Sequence, residues 1–599
     1  MSNFFKILLG SCLGTILALV VLFFVGFSAI VGLAVSAGED GKPSVESNSI
    51  LTLDVAGAPE LTNNQAPDGG FELSLKNETK LGLHDMINVI EHAATDDKIK
   101  GIYLNNFVQS GGFTKLRQVR DALIKFQESG KFVVTYAPSL DQSAYYLGSV
   151  SDEIYIGPLG AVDFRGFGAE VPFYKKMLDK AGVQFQVFYA GDFKGATEPF
   201  RFTELSDSNR LQTRQYLNGM WDLMVADVAA ARGVSEEQVR GYANNLTGWR
   251  DQAAVDAGIV DGILRRSEVD ARLRELVGFD PDEKLRTLTE TEYFEAKLGT
   301  PDGFGSDQVA VLFAEGGIID GKAEPGGIGD KNYVKEIDQL AEDDDIKAVV
   351  LRVNSGGGSA SASENIWYAA EKLKETGKPF VVSMGSVAAS GGYYIAAGAD
   401  SIFAEPSTIT GSIGVFMMFP IVEELMSDKI GITFDTVNTA RHSNAFSPFR
   451  TLGNEERDVL KTRTSMIYET FLDRVAAGRP GLDKEDVRKI ASGRVYTGVR
   501  AQEIGLVDHL GGLDDAVACA ARMAGLDDEN IYTNHFPKMK TPIEQFIEKF
   551  VGADGFEVNV AEGMAREQLG PEHYEHFRLL RQMSQVEKPQ CVLPVVVRF

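Results

Sequence analysis

The run Met384-Gly385-Ser386-Val387-Ala388-Ala389-Ser390-Gly391-Gly392-Tyr393-Tyr394-Ile395 reads as a strand that ends in small residues just before a helix begins. A serine at that junction, Ser390, presents its hydroxyl at a helix start, where the N–H of Gly391 can point at the same reacting oxygen. That geometry suits nucleophilic attack on a carbonyl. Taken alone, the run reads more readily as a set of small residues that lets a helix pack closely. Two further segments give it context. Leu351-Arg352-Val353-Asn354-Ser355-Gly356-Gly357-Gly358-Ser359 is a strand running into three glycines whose amides can turn toward a ligand, a source for a second oxyanion donor. Thr410-Gly411-Ser412-Ile413-Gly414-Val415 is a tight, glycine-bounded turn that offers another hydroxyl.

A serine nucleophile needs a base. The chain has seven histidines, and none lies between His92 and His442, so a Ser-His-Asp arrangement has no obvious member near these turns. No HExxH occurs, which removes the zinc-peptidase ligand pattern. Gly316-Gly317-Ile318-Ile319-Asp320-Gly321-Lys322-Ala323 nearly spells a phosphate loop, but Ala323 lacks the hydroxyl that would hold magnesium, and the segment reads as a strand-ending turn. The net charge of −26 opposes binding to phosphate backbones.

The chain repeats itself. Asp97-Lys98-Ile99-Lys100-Gly101-Ile102-Tyr103-Leu104 is echoed by Asp344-Asp345-Ile346-Lys347-Ala348-Val349-Val350-Leu351 at an offset of 247. Phe132-Val133-Val134 is echoed by Phe380-Val381-Val382, and Pro199-Phe200-Arg201 by Pro448-Phe449-Arg450. In each copy short strands alternate with longer helical patterns, which predicts two α/β units with largely parallel sheets.

The three second-copy segments resemble the signal peptide peptidase A (protease IV) family, with its Asn-Ser-Pro-Gly-Gly-Ser, Ala-Ala-Ser-Gly-Gly-Tyr and Thr-Gly-Ser-Ile-Gly signatures. The resemblance implies two tandem crotonase/ClpP-like repeats, with the serine supplied by the second and a lysine by the first. Aligning the copies supports that division. Gln142 falls opposite Ser390, and Ser443 falls opposite Lys194, so each copy lacks what the other keeps. Lys194, in Asp192-Phe193-Lys194-Gly195-Ala196-Thr197-Glu198-Pro199-Phe200, also matches the family's lysine shortly before Glu-Pro-Phe. A solvated lysine is protonated at neutral pH, so such a base has to be desolvated or set near positive charge. The resemblance implies Ser390 as nucleophile, Lys194 as general base, Ser412 as support for the amine, and the amides of Gly391 and Gly358 (Gly357 as the alternative) as oxyanion donors. It implies no metal and no organic cofactor. Two departures stand out: Gly356 replaces the family's proline, which loosens the turn, and Ser386-Val387 replace a commoner pair.

The elements that must carry this site frame the rest. From Ile7 to Gly38 there are 32 residues without a charge, enough to cross a bilayer and longer than the apolar core of a signal peptide. Lys6 before the run, with Glu39 and Asp40 after it, favours a cytoplasmic N-terminus. The expected organisation is an anchor over 1–40, a first repeat over 41–295, a second over 296–550, and a C-terminal helix and strand over 551–599, with a link between repeats within 281–307. Three widely spaced cysteines support neither a disulfide framework nor a zinc site. The family further implies remnant signal peptides and other apolar peptides as substrates, a homotetramer, and a catalytic part on the outer side of a bacterial inner membrane. A crotonase-like acyl-coenzyme A enzyme and a silent membrane scaffold share the architecture; the first would need acidic groups in place of the Ser-Lys pair.

Overall fold

The computed structural model describes residues 43–62, 80–105, 112–299, 307–323, 326–527, 531–538 and 590–592. The 32-residue uncharged run and most of the C-terminal segment lie outside these residues; among the described residues no helix is long and apolar enough to cross a membrane.

The first half of the chain supplies β1 (Ser49–Thr52), β2 (Ile99–Leu104), β3 (Phe132–Ala137), β4 (Glu153–Ile156), β5 (Gln184–Ala190), β6 (Gly262–Ile263) and β7 (Thr287–Thr289). The second supplies β8 (Gln308–Glu315), β9 (Ile318–Ile319), β10 (Ile328–Gly329), β11 (Ile346–Ser355), β12 (Gly357–Ser359), β13 (Phe380–Ala389), β14 (Ser401–Ala404), β15 (Ile409–Gly411), β16 (Val415–Ile421), β17 (Val495–Thr497), β18 (His509–Leu510) and β19 (Tyr532–Phe536). A last strand, β20 (Gln590–Val592), comes from the C-terminal segment. The duplication is equally plain in the helices. Those at α1 (Leu83–Thr95), α2 (Phe113–Glu128), α3 (Gln142–Gly148) and α4 (Asp207–Arg232) recur 247 to 249 residues later as α5 (Asp330–Glu342), α6 (Ala360–Glu375), α7 (Gly391–Ala396) and α8 (Asn454–Gly478).

The first copy builds a wholly parallel sheet in the order β6-β4-β3-β2-β1-β7. The second builds an eight-stranded sheet along β17-β15-β13-β11-β8-β19, with β14 beside β13 and β18 beside β14; only the β15–β17 pair is antiparallel. The fold is therefore α/β with mostly parallel sheets. Strand β11 shows why its sequence is so apolar. Val349, Leu351 and Val353 face a core that includes Ile366, Leu373 and Phe471, whereas Ala348 and Val350 face one with Ala516 and Ala520. A strand covered on both faces has no polar side to show.

The copies dock through a buried charge cluster. Arg352 Nε donates to Glu60 Oε2 at 2.9 Å, and Lys115 Nζ reaches both Glu60 Oε1 and Glu315 Oε1 at 3.3 Å. Burial pushes the Glu60 carboxyl up, but Arg352 and Lys115 outweigh it and hold it below the usual value. Within the expected link, residues 281–299 are more than a connector: β7 pairs with β1 and completes the first sheet, and a short helix over Glu290–Lys297 follows it. The composition of that stretch hides a strand that is only three residues long.

A third sheet, β10-β9-β12-β20-β16-β5, is shared between the copies. In it β5 of the first copy runs antiparallel to β16 of the second, from Ala190 opposite Val415 to Gln184 opposite Ile421. The end of β5 thereby lies beside the start of β16, where the Ser412 turn enters.

Candidate active site

Strand β13 ends at Ala389 and α7 starts at Gly391, with Ser390 between them as N-cap. Ser390 holds φ 57° and ψ −115°, a conformation that an L residue keeps only where its surroundings enforce it. Two backbone bonds do so: Ser390 N donates to Gly411 O at 2.8 Å, and Ser390 O accepts from Tyr394 N at 2.8 Å. The Ser390 side chain makes no capping hydrogen bond to the helix start.

The lysine arrives from the other copy. Beyond β5 the chain turns at Gly191 (φ 113°) and reaches Lys194, which precedes a 3-10 turn over Gly195–Thr197. Lys194 Nζ lies 2.6 Å from Ser390 Oγ, 2.9 Å from Ser412 O and 3.0 Å from Ser412 Oγ. All three residues are buried, with Lys194 only 1% exposed. Ser412 has φ 51°, and its N–H is anchored on Arg494 O at 2.7 Å. The structure thus brings together Lys194, Ser390 and Ser412 across 196 and 218 residues of chain.

Two glycine amides complete the surroundings. A methyl group on Gly391 would lie 3.0 Å from the Gly358 nitrogen, so the two backbones are close neighbours. A methyl on Gly358 would sit 1.9 Å from Ile318 O, which leaves no room for any side chain there. The Gly357 N–H instead donates to Ser355 Oγ at 3.1 Å, which sets it apart from Gly358. Ser355 Oγ in turn donates to Gly316 O at 2.6 Å. That clamp holds the turn which Gly356, in place of proline, would leave loose.

The mirrored positions are otherwise occupied. Asp141 holds the N-cap position of α3 as Ser390 holds that of α7, and Gln142 is the first residue of α3, one place on from the cap. Neither carries a hydroxyl. The Gln142 Oε1 accepts from the N–H groups of Arg165 (3.0 Å) and Gly166 (2.7 Å). Ser443 lies in an exposed turn, bonded to Ala440.

Several supporting residues escaped the sequence reading. Phe193 N donates to Ser492 O at 2.9 Å, Gly493 N to Ile413 O at 2.8 Å, and Asp192 N to Ser492 Oγ at 2.8 Å, so the loop around 492–494 ties the lysine turn to the Ser412 turn. A methyl on Gly493 (φ 75°) would lie 2.7 Å from Lys194 N. Behind the lysine turn, buried Glu198 accepts from Ser206 Oγ and Asn209 Nδ2, and Gln212 Nε2 donates to Phe193 O at 2.8 Å while its Oε1 accepts from Val495 N at 3.1 Å. Glu198 stands inside the Lys194 motif, the one available signal; Gln212 and Gly493 gave none.

A serine on a strained strand-to-helix turn, an amine within hydrogen-bond reach of it, and two neighbouring glycines have the arrangement that acyl transfer through a serine ester requires. The chain belongs to peptidase family S49, whose model matches it twice, over residues 125–280 and 372–527, and it is a serine peptidase. Among its relatives, Protease 4 of Haemophilus influenzae is 34% identical over 519 residues, covering 84% of this chain and 83% of that one. Protease 4 of Salmonella typhi is 34% identical over 550 residues, with 89% and 87% covered. The chloroplastic serine protease SPPA of Arabidopsis thaliana is 30% identical over 488 residues, with 80% and 70% covered.

Proposed function

We propose that this peptidase works through a Ser390–Lys194 dyad assembled from both repeats. The observation that carries the reading is the 2.6 Å contact between Lys194 Nζ and Ser390 Oγ. With the amine neutral, that bond runs from the serine hydroxyl to the lysine nitrogen. Desolvation disfavours an ammonium ion, so enclosure of Lys194 favours the form the reaction needs. Lys194 takes the hydroxyl proton as Ser390 attacks a peptide carbonyl, then returns it to the leaving amine, and water releases the acyl group by the same relay. Ser412 is the positioning residue for the amine, through its carbonyl and hydroxyl oxygens. The oxyanion is received by the Gly391 and Gly358 amides, each contributing about 3 kcal/mol.

The substrates that fit best are remnant signal peptides and other apolar peptides, because the uncharged 7–38 run would hold the enzyme at the membrane where such peptides lie. In this reading the run is a single anchor with a cytoplasmic N-terminus, the two crotonase/ClpP-like repeats stand on the outer side of a bacterial inner membrane, and four copies assemble. Hydrolysis of an apolar fluorogenic peptide by the wild type and by Ser390→Ala and Lys194→Ala tests the dyad. Both variants should lose turnover, and wild-type kcat/KM should climb with pH as the amine deprotonates. Undiminished hydrolysis by either variant refutes it.

A further inference from the structure

Burial is not the only influence on the charge of Lys194, because carboxylates lie close along the chain. Asp192 stands two residues before it on the same turn. Glu198, four residues after it, is buried, and its hydrogen-bond partners among the described residues, Ser206 and Asn209, are neutral. Both carboxylates favour an ammonium ion. The loop packed on the other side of the lysine turn supplies the opposite charge. Gly493 packs against the Lys194 backbone, and the next residue, Arg494, accepts the Ser412 N–H on its carbonyl oxygen at 2.7 Å. The Arg494 guanidinium carbon lies 5.0 Å from the centre of the Phe193 ring, the residue next to Lys194, and 5.5 Å from that of Tyr496. Its Nη2 donates to Gln215 Oε1, on α4, at 2.7 Å. Two rings and an amide are neutral partners. Among the described residues no carboxylate pairs with Arg494, and its Nε is buried without an acceptor. Arginine keeps its charge throughout the working pH range, so a fixed, unpaired cation stands beside the lysine turn. The remaining groups there do not duplicate it. Burial pushes up the hydroxyls of Tyr496 and of Tyr468, which accepts from Ser492 N at 3.2 Å, and keeps both neutral. Arg201 lies over the exposed rings of Tyr189 and Phe202.

The duplication carries a second, independent sign. Aligning Thr247-Gly248 with Thr497-Gly498 sets Asn244 opposite Arg494 and Leu246 opposite Tyr496. The first copy, in which Gln142 stands opposite the nucleophile, has neither the cation nor the ring that holds it. We propose that Arg494 is a positioning residue for the reaction, acting through Lys194: its charge opposes those of Asp192 and Glu198 and keeps the lysine amine neutral, ready to take the Ser390 proton. The inference rests on the dyad assigned to Ser390 and Lys194.

The test is the pH dependence of kcat/KM on an apolar fluorogenic peptide, from about pH 6 to pH 10, for the wild type, Arg494→Gln, Arg494→Met and Arg494→Lys. The rising limb of that profile reports the essential base of the free enzyme. Removing the cation favours the ammonium ion, so the limb should move up by roughly half a unit to one unit in both neutral variants, the effect of a nearby like charge that is not in contact. On the wild-type rising limb this is a loss of about three- to tenfold, and it should vanish at the plateau. Arg494→Lys keeps the charge and should keep the wild-type limb, whatever its plateau loses with the planar stack. Methionine covers the same two rings with an apolar chain, so one neutral variant remains if the other fails to fold. An unmoved limb in the neutral variants overturns the proposal, and a plateau lowered alike in all three would then assign Arg494 to packing. A limb displaced equally in Arg494→Lys overturns it as well. The rate at which a fluorophosphonate labels Ser390 follows the same amine without product release and should show the same displacement. Failure of the dyad would appear separately, as hydrolysis by Lys194→Ala along the wild-type limb.

Discussion

Removing one hydroxyl from the amine's surroundings tests how the lysine is aimed. In Ser412→Ala the Lys194 Nζ loses its 3.0 Å partner, Ser412 Oγ, but keeps the carbonyl oxygen of the same residue at 2.9 Å and Ser390 Oγ at 2.6 Å. Alanine tolerates φ 51° no worse than serine, so the backbone should hold, fixed by the bond from its N–H to Arg494 O. What is lost is one buried hydrogen bond, worth about 1–1.5 kcal/mol net. If that energy orients the amine in the transition state, kcat falls roughly five- to twelvefold. KM should stay put, because the hydroxyl faces the amine. The assay is steady-state hydrolysis of an apolar fluorogenic peptide, with thermal unfolding of both proteins alongside. Wild-type kcat in Ser412→Ala would refute the positioning role. A loss as deep as that of Lys194→Ala would refute the claim that the carbonyl is a second, independent tether.

Three further outcomes follow from the geometry. Arg352→Met leaves Glu60 buried with Lys115 as its remaining cation, which should cost about 3 kcal/mol in denaturant unfolding, with part of the loss recovered in Arg352→Met/Glu60→Gln; an unchanged midpoint would contradict it. Gly493→Ala sets a methyl against the Lys194 backbone and should lower kcat far more than it alters KM, and equal kcat would show that the 492–494 loop does not fix the lysine. Burial pushes the Glu405 carboxyl up to about 7, against the pull of Arg352 and Arg117, from an ordinary value of 4.5. The folded chain therefore holds a proton there that the unfolded chain gives up, and the stability this contributes is complete below about pH 4.5 and lost as pH rises through 7. Glu405→Gln should gain stability relative to the wild type between pH 5 and pH 8, and parallel curves would contradict the assignment.

The residues of the site differ in how far the sequence could reveal them, and the differences are physical. Ser390 and Gly391 are set by a local event, a strand giving way to a helix, and small residues at that junction mark it directly. Lys194 has no local mark, since its burial comes from the β5–β16 pairing that joins the two copies. It was legible through the duplication, as the amine that the second copy lacks, and through its place shortly before Glu198-Pro199-Phe200. Gly358 and Gly357 could not be told apart in sequence, because the distinction lies in the Ser355 hydroxyl that takes the Gly357 N–H. Gln212, Ser492 and Gly493 were invisible for a related reason: Gln212 reaches Val495, 283 residues away, and Ser492 reaches Asp192, 300 away. The one-residue shift between Gln142 and the cap position arises because α3 starts from Asp141, whose own side chain accepts from Ala144 N, a cap that Ser390 does not form. Periodicity located the long strands well, and missed β7 because a three-residue edge strand has no period to read.

The central claim is that the serine of one repeat is activated by the lysine of the other. Reaction of the intact enzyme with a fluorophosphonate, followed by peptide mapping of the adduct, measures this without reference to any substrate. The account predicts one adduct, on Ser390, forming faster as pH rises and slowed by about 10²–10⁴-fold in Lys194→Ala. An adduct on any other serine, or wild-type labelling of Ser390 in Lys194→Ala, would contradict it.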